Sequence, residues 1–420
     1  MANDPVDEVK QFLEDNWDPD LTVEEWWQRL GRSGWAAPSW PEDAYGRGLS
    51  NADAARVQRA MAEFGALGPG GGLGLLLAGP TIWTHGTPEQ KERFLPDIVT
   101  GQRAWAQLFS EPVAGSDLAG LQTRAERDGD EFVVNGQKVW TSSAHIADWG
   151  MLLARTNLDV PKHKGITWFA VDMHQPGIDV RPLRELTGRA LFNEVFLTDV
   201  RVKAEDIIGG LDNGWAVANT TLAFERAGLG AGAADQASSN AQPGTVVGHL
   251  DKRAGDFVRA RRSGMTFSAG SQLMIDVARD LGKSGDPLVR QQIARLHMEQ
   301  EIGRYMTLRH KDLRKAGQDL PGFGNLAKLR MSEMMRQSRE LGLALLGPRG
   351  MLHDYDETEP QEESALYSAV TDLALWSPGP SIYGGTDQVQ RNILGERVLG
   401  LPKEPDPNKG APFKDVPKNA

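Results

Sequence analysis

Apolar positions along this chain follow two spacings, and the chain switches between them twice. In NADAARVQRAMAEFGA, Ala54, Val57, Met61 and Phe64 recur at three and four residues, which is one face of a helix; Asn51 or Ser50 is placed to cap it. THGTPEQKERFLPDIV predicts a second helix, with Thr87 as its cap, Pro88 in the first turn, and Glu89 and Glu92 near its positive end. The first hundred residues therefore read as helical. Near Trp105 the period shortens. Thr123, Ala125 and Arg127 share one face of a strand, Asp128-Gly129 makes a turn, and EFVV and QKVW flank Asn135-Gly136, which predicts a hairpin there. Residues 151–155, 166–172, 178–182 and 193–202 predict further strands, five to seven in all. After Asn213-Gly214 the helical period returns, over 215–234, 287–309, 325–346 and 363–375.

These elements predict an α+β chain: an N-terminal helical domain over residues 1–104, a small central β domain of barrel or sandwich type over 105–213, and a C-terminal four-helix bundle over 214–403. Residues 237–264 are rich in Ser, Asn, Gly and charge and read as a long connection. The proline-rich tail, 404–420, reads as loosely attached.

Composition removes several classes of function. The net charge is −11, with no run of Lys or Arg standing apart from nearby acids, so no nucleic-acid footprint is expected. Arg259, Arg261 and Arg262 lie close to Asp256 and read as a solvated face. There are no cysteines, which excludes disulfides, thiolate metal sites and a cysteine nucleophile. The eight histidines show no pairing at three or four residues, so no metal site is expected. The longest apolar run, 73–80, is too short to span a bilayer, and the acidic N-terminus has neither a leader nor a signal core. A cytoplasmic protein is expected.

Three stretches carry candidate chemistry. QLFSEPVAGSDLAG offers small donors at close backbone approach through Ser110, Gly115 and Ser116. NGQKVWTSSAHIADWG places Trp140 beside the hydroxyls of Thr141, Ser142 and Ser143; an indole can lie against a flat conjugated ring while hydroxyls meet its polar atoms. SIYGGTDQVQRNILGERVLGLP puts two glycines and Thr386 at the opening of a helix, a turn that suits an anion or a carbonyl oxygen. GLGAGA, 228–233, matches a dinucleotide fingerprint, but a helix rather than a strand should precede it, so close helix packing is the better account.

Taken in order with HGTPEQKERFLP, these motifs resemble the acyl-CoA dehydrogenase family of flavoenzymes, from about Val23 to Pro402. The resemblance implies FAD between a β domain and a helical bundle, with its adenine end reaching a neighbouring subunit. It implies that Gln107, Phe109, Ser110, Trp140, Thr141 and Ser142 border the flavin ring, with Trp140 covering it and Ser142 near its N5. Ser116 would meet the acyl-CoA and the FAD phosphates, Thr386 and Gln388 would hold the ADP half, and Gly385 would lie near the thioester. Phe224 and Arg226 would flank the substrate.

The family removes the α-proton of a thioester with a glutamate while hydride leaves Cβ for N5. Most members carry that glutamate where this chain has Gly384. A second placement, on the first helix of the bundle, corresponds to Glu225 in TLAFERAGLGAG. Apolar neighbours should raise the carboxyl above the ~4.3 of a free Glu and improve it as a base. Two elements depart from the family pattern: no Arg-x-x-Phe-Gly occurs in SSNAQPGTVVGHLDKRAGDFVRARRSG, and a Gln-Leu-Gly-Gly-like element is altered to ALLGP. Either Arg253, Arg259 or Arg261 supplies the phosphate contacts in a homodimer or homotetramer, or a related subunit does so in a heteromer. The activity implied is conversion of an acyl-CoA to a trans-2-enoyl-CoA, with electrons passed to an electron-transfer flavoprotein or similar carrier. An acyl-CoA oxidase and a catalytically silent subunit are the competing readings.

Overall fold

A computed structural model of the chain describes residues 4–230, 240–263, 270–353 and 362–417. The chain divides into two compact units, the first comprising Met1–Leu183, Ala190–Gly264 and Asp406–Ala420, the second Arg184–Arg189 and Met265–Pro405.

The first unit begins with α1 (Pro5–Asn16), α2 (Val23–Arg32), α3 (Asn51–Phe64), α4 (Gly79–His85) and α5 (Pro88–Val99). Their ends are written in the sequence. Thr22 and Glu25 form a capping box on α2, Ser50 caps α3, and Thr87 caps α5 with Gln90 completing the box. Trp26 and Trp27 are fully buried, and their indole N–H groups donate to the carbonyls of Leu67 (2.7 Å) and Gly68 (2.8 Å). A single π-helical turn, Gly74–Ala78, leads into α4.

Seven strands follow: β1 (Trp105–Leu108), β2 (Arg124–Asp128), β3 (Glu131–Ser142), β4 (Trp149–Arg155), β5 (Ile166–Asp172), β6 (Ile178–Leu183) and β7 (Phe192–Lys203). Their order is β1-β4-β2-β3-β7-β6, with β5 paired to β4. β1 runs parallel to β4, while β2–β3, β3–β7, β4–β5 and β6–β7 are antiparallel. Period-two alternation gives the sheet two apolar faces. Trp105, Met151, Leu153, Trp168 and Ala170 join the core of the helical layer. Ala106, Leu108, Leu152, Phe169 and Val171 close a second core with Phe132, Val134, Val195 and Leu197. α6 (Gly214–Gly230) and α7 (Ala254–Ser263) complete the unit.

Three sequence expectations need correction. Asn135-Gly136 is not a hairpin; β3 runs through it, and the turn lies at Gly129, where Asp128 pairs with Glu131. Asn135 instead bridges to β7: its Nδ2 donates to Asp199 Oδ1 (3.1 Å) and its Oδ1 accepts from the Asp199 amide (2.9 Å). Gly136 is required by proximity, since a Cβ there would sit 2.3 Å from Thr123 Oγ1. The turn signal was thus spent on a bulge between paired strands. Next, the stretch read as a long connection contains α7, and before α7 it is fastened by Gly244 N–H to Gly101 O (2.9 Å) and by Lys252 O accepting from Val23 N–H (2.8 Å). The side chains of Arg259, Arg261 and Arg262 lie outside the described residues; Arg253 pairs with Asp20.

The tail is also docked. Phe413 is buried, its amide donates to Val160 O (2.9 Å), and Lys414 N–H donates to Leu158 O (3.1 Å). The Arg155 guanidinium lies 3.7 Å from the Phe413 ring centroid. Phe413→Ala is expected to release this segment without unfolding the sheet, read as faster limited proteolysis confined to residues 406–417. An unchanged cleavage rate there would contradict the docking.

In the second unit α8 (Ser271–Asp280), α9 (Pro287–Lys315), α10 (Phe323–Leu346) and α11 (Glu362–Trp376) pack around Leu273, Met274, Val277, Leu296, Leu341, Leu345 and Val370. α12 (Asp387–Ile393) packs on α10. α9 exposes Met298, Ile302, Tyr305 and Leu308 at steps of four and three, an apolar stripe along one helix face. Among the described residues no helix is long and apolar enough to cross a membrane.

Candidate active site

Glu225 sits on α6. Val217, Ala218 and Thr221 are fully buried, and Glu225 follows Thr221 by one turn, so it lies on the packed face of the helix. α4 fixes that face. The Thr81 and Thr221 hydroxyls are 2.8 Å apart, His85 Nε2 meets Thr220 Oγ1 at 2.8 Å, and Trp83 contacts Phe224 edge-on at 6.0 Å. Burial pushes the Glu225 carboxyl above the ordinary glutamate range; a hydrogen bond from Gln107 and the charge of Arg226 pull it partly back. Gln107 Nε2 donates to Oε2 at 3.3 Å. Among the described residues Glu225 makes no ion pair within 4 Å, and Arg226, its neighbour on the helix, is exposed. The fingerprint-like GLGAGA continues α6, a helix, through Gly230, and its last three residues lie outside the described residues.

The segment after β1 holds Phe109, buried, with Ser110 half-buried and Ser116 exposed. Its anchor is an ion pair sealed from solvent. Lys138 Nζ reaches Glu111 Oε1 (2.8 Å) and Phe109 O (3.1 Å), while Glu111 accepts from the amides of Gln122 (2.6 Å) and Thr123 (2.9 Å). Beyond Lys138 the β3–β7 register slips, and Val139 N–H turns to Ser110 O (2.9 Å). Trp140 takes φ 59° in this bulge, a left-handed conformation costly for a bulky residue. Its indole is consequently turned out of the core, 59% exposed, edge-on to Phe192. The neighbouring Thr141 hydroxyl is buried and has no hydrogen-bond partner among the described residues. A strained, exposed indole beside an orphaned buried hydroxyl fits a flat ring bearing polar atoms, as the isoalloxazine of FAD does.

The other site candidates belong to the second unit. Gly384 and Gly385 have φ 63° and 82°, and a Cβ on Gly385 would meet Gln390 Nε2 at 2.8 Å. Gln390 Nε2 donates to Gly384 O (2.8 Å), and Asn325 Nδ2 holds the Gln390 amide oxygen (2.5 Å). Thr386 caps α12 through the Val389 amide (3.2 Å), and Gln388 is exposed on the first turn. Asp387 is buried between Lys328 (3.1 Å) and Arg336 (2.9 Å). Burial raises its carboxyl, but Arg336, Ser332 and Lys328 outweigh that and hold it at about 2. This ion cluster makes the double-glycine turn a fixed feature.

Sequence reasoning missed three contributors: the Lys138–Glu111 pair, the π turn Gly74–Ala78, which packs against α6, and the reach of Gln107 to Glu225. Only Gln107 carried a signal, being the polar member of the otherwise apolar Trp105–Met151–Trp168 face.

Comparison with known proteins agrees over most of the chain. Sequence profiles of the acyl-CoA dehydrogenase N-terminal, middle and C-terminal domains match residues 4–102, 106–200 and 260–399. Acyl-CoA dehydrogenase IpdE1 of Mycobacterium tuberculosis is 36% identical over 379 residues, 90% of this chain and 88% of that protein. Acyl-CoA dehydrogenase FadE34 of the same organism is 39% identical over 374 residues, covering 89% of this chain and 46% of FadE34. Among solved structures, the Tcur3481-Tcur3483 steroid ACAD aligns with a TM-score of 0.69 at 25% identity, over 95% of this chain and 97% of that one. The ChsE4-ChsE5 complex from Mycobacterium tuberculosis aligns with a TM-score of 0.65 at 25% identity, over 96% and 99% of the chains. With an N-terminal helical domain, a middle sheet domain and a C-terminal helical domain in that order, the chain belongs to the acyl-CoA dehydrogenase family, whose members are in general FAD-dependent enzymes.

Proposed function

We propose that this enzyme dehydrogenates an acyl-CoA thioester between Cα and Cβ, with Glu225 as the base that takes the α-proton. The observation that carries the reading is the state of Glu225: on the packed face of α6, free of ion pairs among the described residues, its carboxyl raised by burial. A thioester α-proton is weakly acidic, so a base with a raised pKa is better matched to it than a solvated carboxylate. Gly384, left-handed and without a side chain, offers no competing base in the second unit. Bound FAD supplies the acceptor for the hydride that leaves Cβ. The chain's part is to border that ring with Phe109, Ser110, Trp140, Thr141 and Ser142, and to hold the ADP half with Thr386 and Gln388. Ser116, Phe224, Arg226 and Gly385 are assigned to the substrate.

Two finer readings belong to the proposal. The relatives described as steroid ACAD and as a ChsE4-ChsE5 complex support a bulky, ring-bearing acyl group and an assembly of two related chains. The exposed stripe on α9 supports an assembly as well. An electron-transfer flavoprotein is the proposed acceptor.

The test is a visible spectrum of the purified protein, with flavin quantified per chain, followed by a panel of straight-chain, branched and steroid-derived acyl-CoAs. Flavin absorbance that bleaches with one class is expected. A colourless chain that stays inert alone and gains flavin only when mixed with a related subunit would support the heteromer. Rapid peroxide formation in air would move the reading to an oxidase.

A further inference from the structure

Gln107 interrupts an apolar pattern. On β1, Trp105 and Gln107 point to one side of the sheet and Ala106 and Leu108 to the other. The side shared by Gln107 is otherwise built from Trp105, Met151, Leu153, Trp168 and Ala170, and Gln107 pairs in register with Met151. A half-buried amide in such surroundings is costly unless it finds a partner. Its hydrogen-bonding partner is Glu225 Oε2, reached across 118 residues of sequence at 3.3 Å. Because β1 is held along its length by β4, the amide is offered from a rigid strand and not from a loop.

We infer that Gln107 is the positioning residue of the base: its amide holds Glu225 Oε2, which leaves Oε1 as the atom that takes the proton. This rests on the reading of Glu225 as the base, and it goes beyond the role of flavin ligand that the family resemblance gives Gln107. An amide donor favours the ionised carboxylate over the neutral acid, so it offsets part of what burial does. It also fixes the carboxyl plane, and a base turned away by an ångström loses on the order of a hundredfold in rate. Among the described residues the groups that act on the carboxyl are Gln107 from β1 and Arg226 from α6 itself.

The experiment titrates the Glu225 carboxyl directly, by isotope-edited infrared difference spectroscopy on the purified flavoprotein, with the band assigned by its loss in Glu225→Gln. Two variants are compared, Gln107→Leu and Gln107→Lys, alongside flavin per chain and the pH profile of kcat. Removing the donor in Gln107→Leu is expected to move the midpoint up. The acidic limb of kcat should follow it, kcat should drop about tenfold to a hundredfold, and flavin content and KM should stay near those of the unmodified protein. Restoring a donor with charge in Gln107→Lys is expected to bring the midpoint below the starting value. Midpoints unmoved in both variants would overturn the inference, as would flavin loss with the midpoint in place, which would make Gln107 a cofactor ligand. Failure of the base reading shows separately, as full turnover in Glu225→Gln.

Discussion

Glu225→Gln is expected to leave the protein folded and yellow while turnover with any acyl-CoA falls by about 10²–10⁴-fold, the usual contribution of a positioned general base. The substitution keeps the shape of the side chain and the contacts of α6 with α4, which run through Thr220, Thr221 and Phe224 and not through the carboxyl. Only the proposed proton acceptor is removed. The pH profile of the unmodified enzyme gives an independent check. A carboxyl raised by burial is protonated, and so inactive as a base, until the pH passes its raised pKa; kcat should therefore rise along an acidic limb lying above the ordinary glutamate range. Stability runs the other way. Because the folded-state pKa exceeds that of the unfolded chain, the native protein binds the extra proton, and stability falls as pH rises from the unfolded value through the folded one. At neutral pH the buried charge is a cost that Glu225→Gln removes, so the inactive variant should melt above the active protein. Full turnover in Glu225→Gln, or a lower melting temperature with lost turnover, would place the residue in a structural role instead.

How much of this was readable from residues alone depended on distance along the chain. α3 and α5 announced themselves because both their apolar face and their caps are local: Ser50 and Thr87 stand next to the helices they begin. The strands from β4 to β7 were legible for the same reason. Asn135-Gly136 misled because the dipeptide's two assets, a side chain that bridges and a missing Cβ, serve a turn and a bulge equally well; only the pairing with Asp199 and the crowding by Thr123 decide between them. The tail was misread because the groups that hold Phe413 and Lys414 are Arg155, Leu158 and Val160, far away in sequence. At the site, the proposal for Glu225 starts from a motif, whereas its burial depends on how α6 packs. That Trp140 is strained and turned outward depends on a register slip against β7 that no local pattern records. The Gln107–Glu225 contact likewise needed the fold to bring β1 to α6.

Lys138→Met should be the most destabilising single change of similar volume in the sheet, lowering stability by about 3–5 kcal/mol through the charge it strands. Lys138 is completely buried and Glu111 nearly so. Burial alone raises the Glu111 carboxyl, but Lys138, Thr123 and Gln122 together outweigh it and hold it below the ordinary range, so Glu111 is ionised at neutral pH; burial pulls the Lys138 ammonium down from its ordinary range, and Glu111 at 2.8 Å pulls it partly back. Removing the cation leaves an anion with amide donors and no counter-charge. Its folded-state pKa then rises above the unfolded value, so the variant's deficit should be largest at neutral pH and shrink as pH falls and Glu111 takes a proton. The double variant Lys138→Met, Glu111→Gln should recover much of the loss, because the stranded charge is gone. The pair also reaches the site: Glu111 and Phe109 O are its anchor points, and the segment they anchor carries Phe109, Ser110 and Ser116. Flavin should therefore dissociate more readily from Lys138→Met at temperatures where the protein is still folded, measured as flavin released per chain against a circular dichroism melt. A loss under ~1 kcal/mol, the range of a solvated ion pair, together with unchanged flavin retention would mean that the segment is held by its backbone alone.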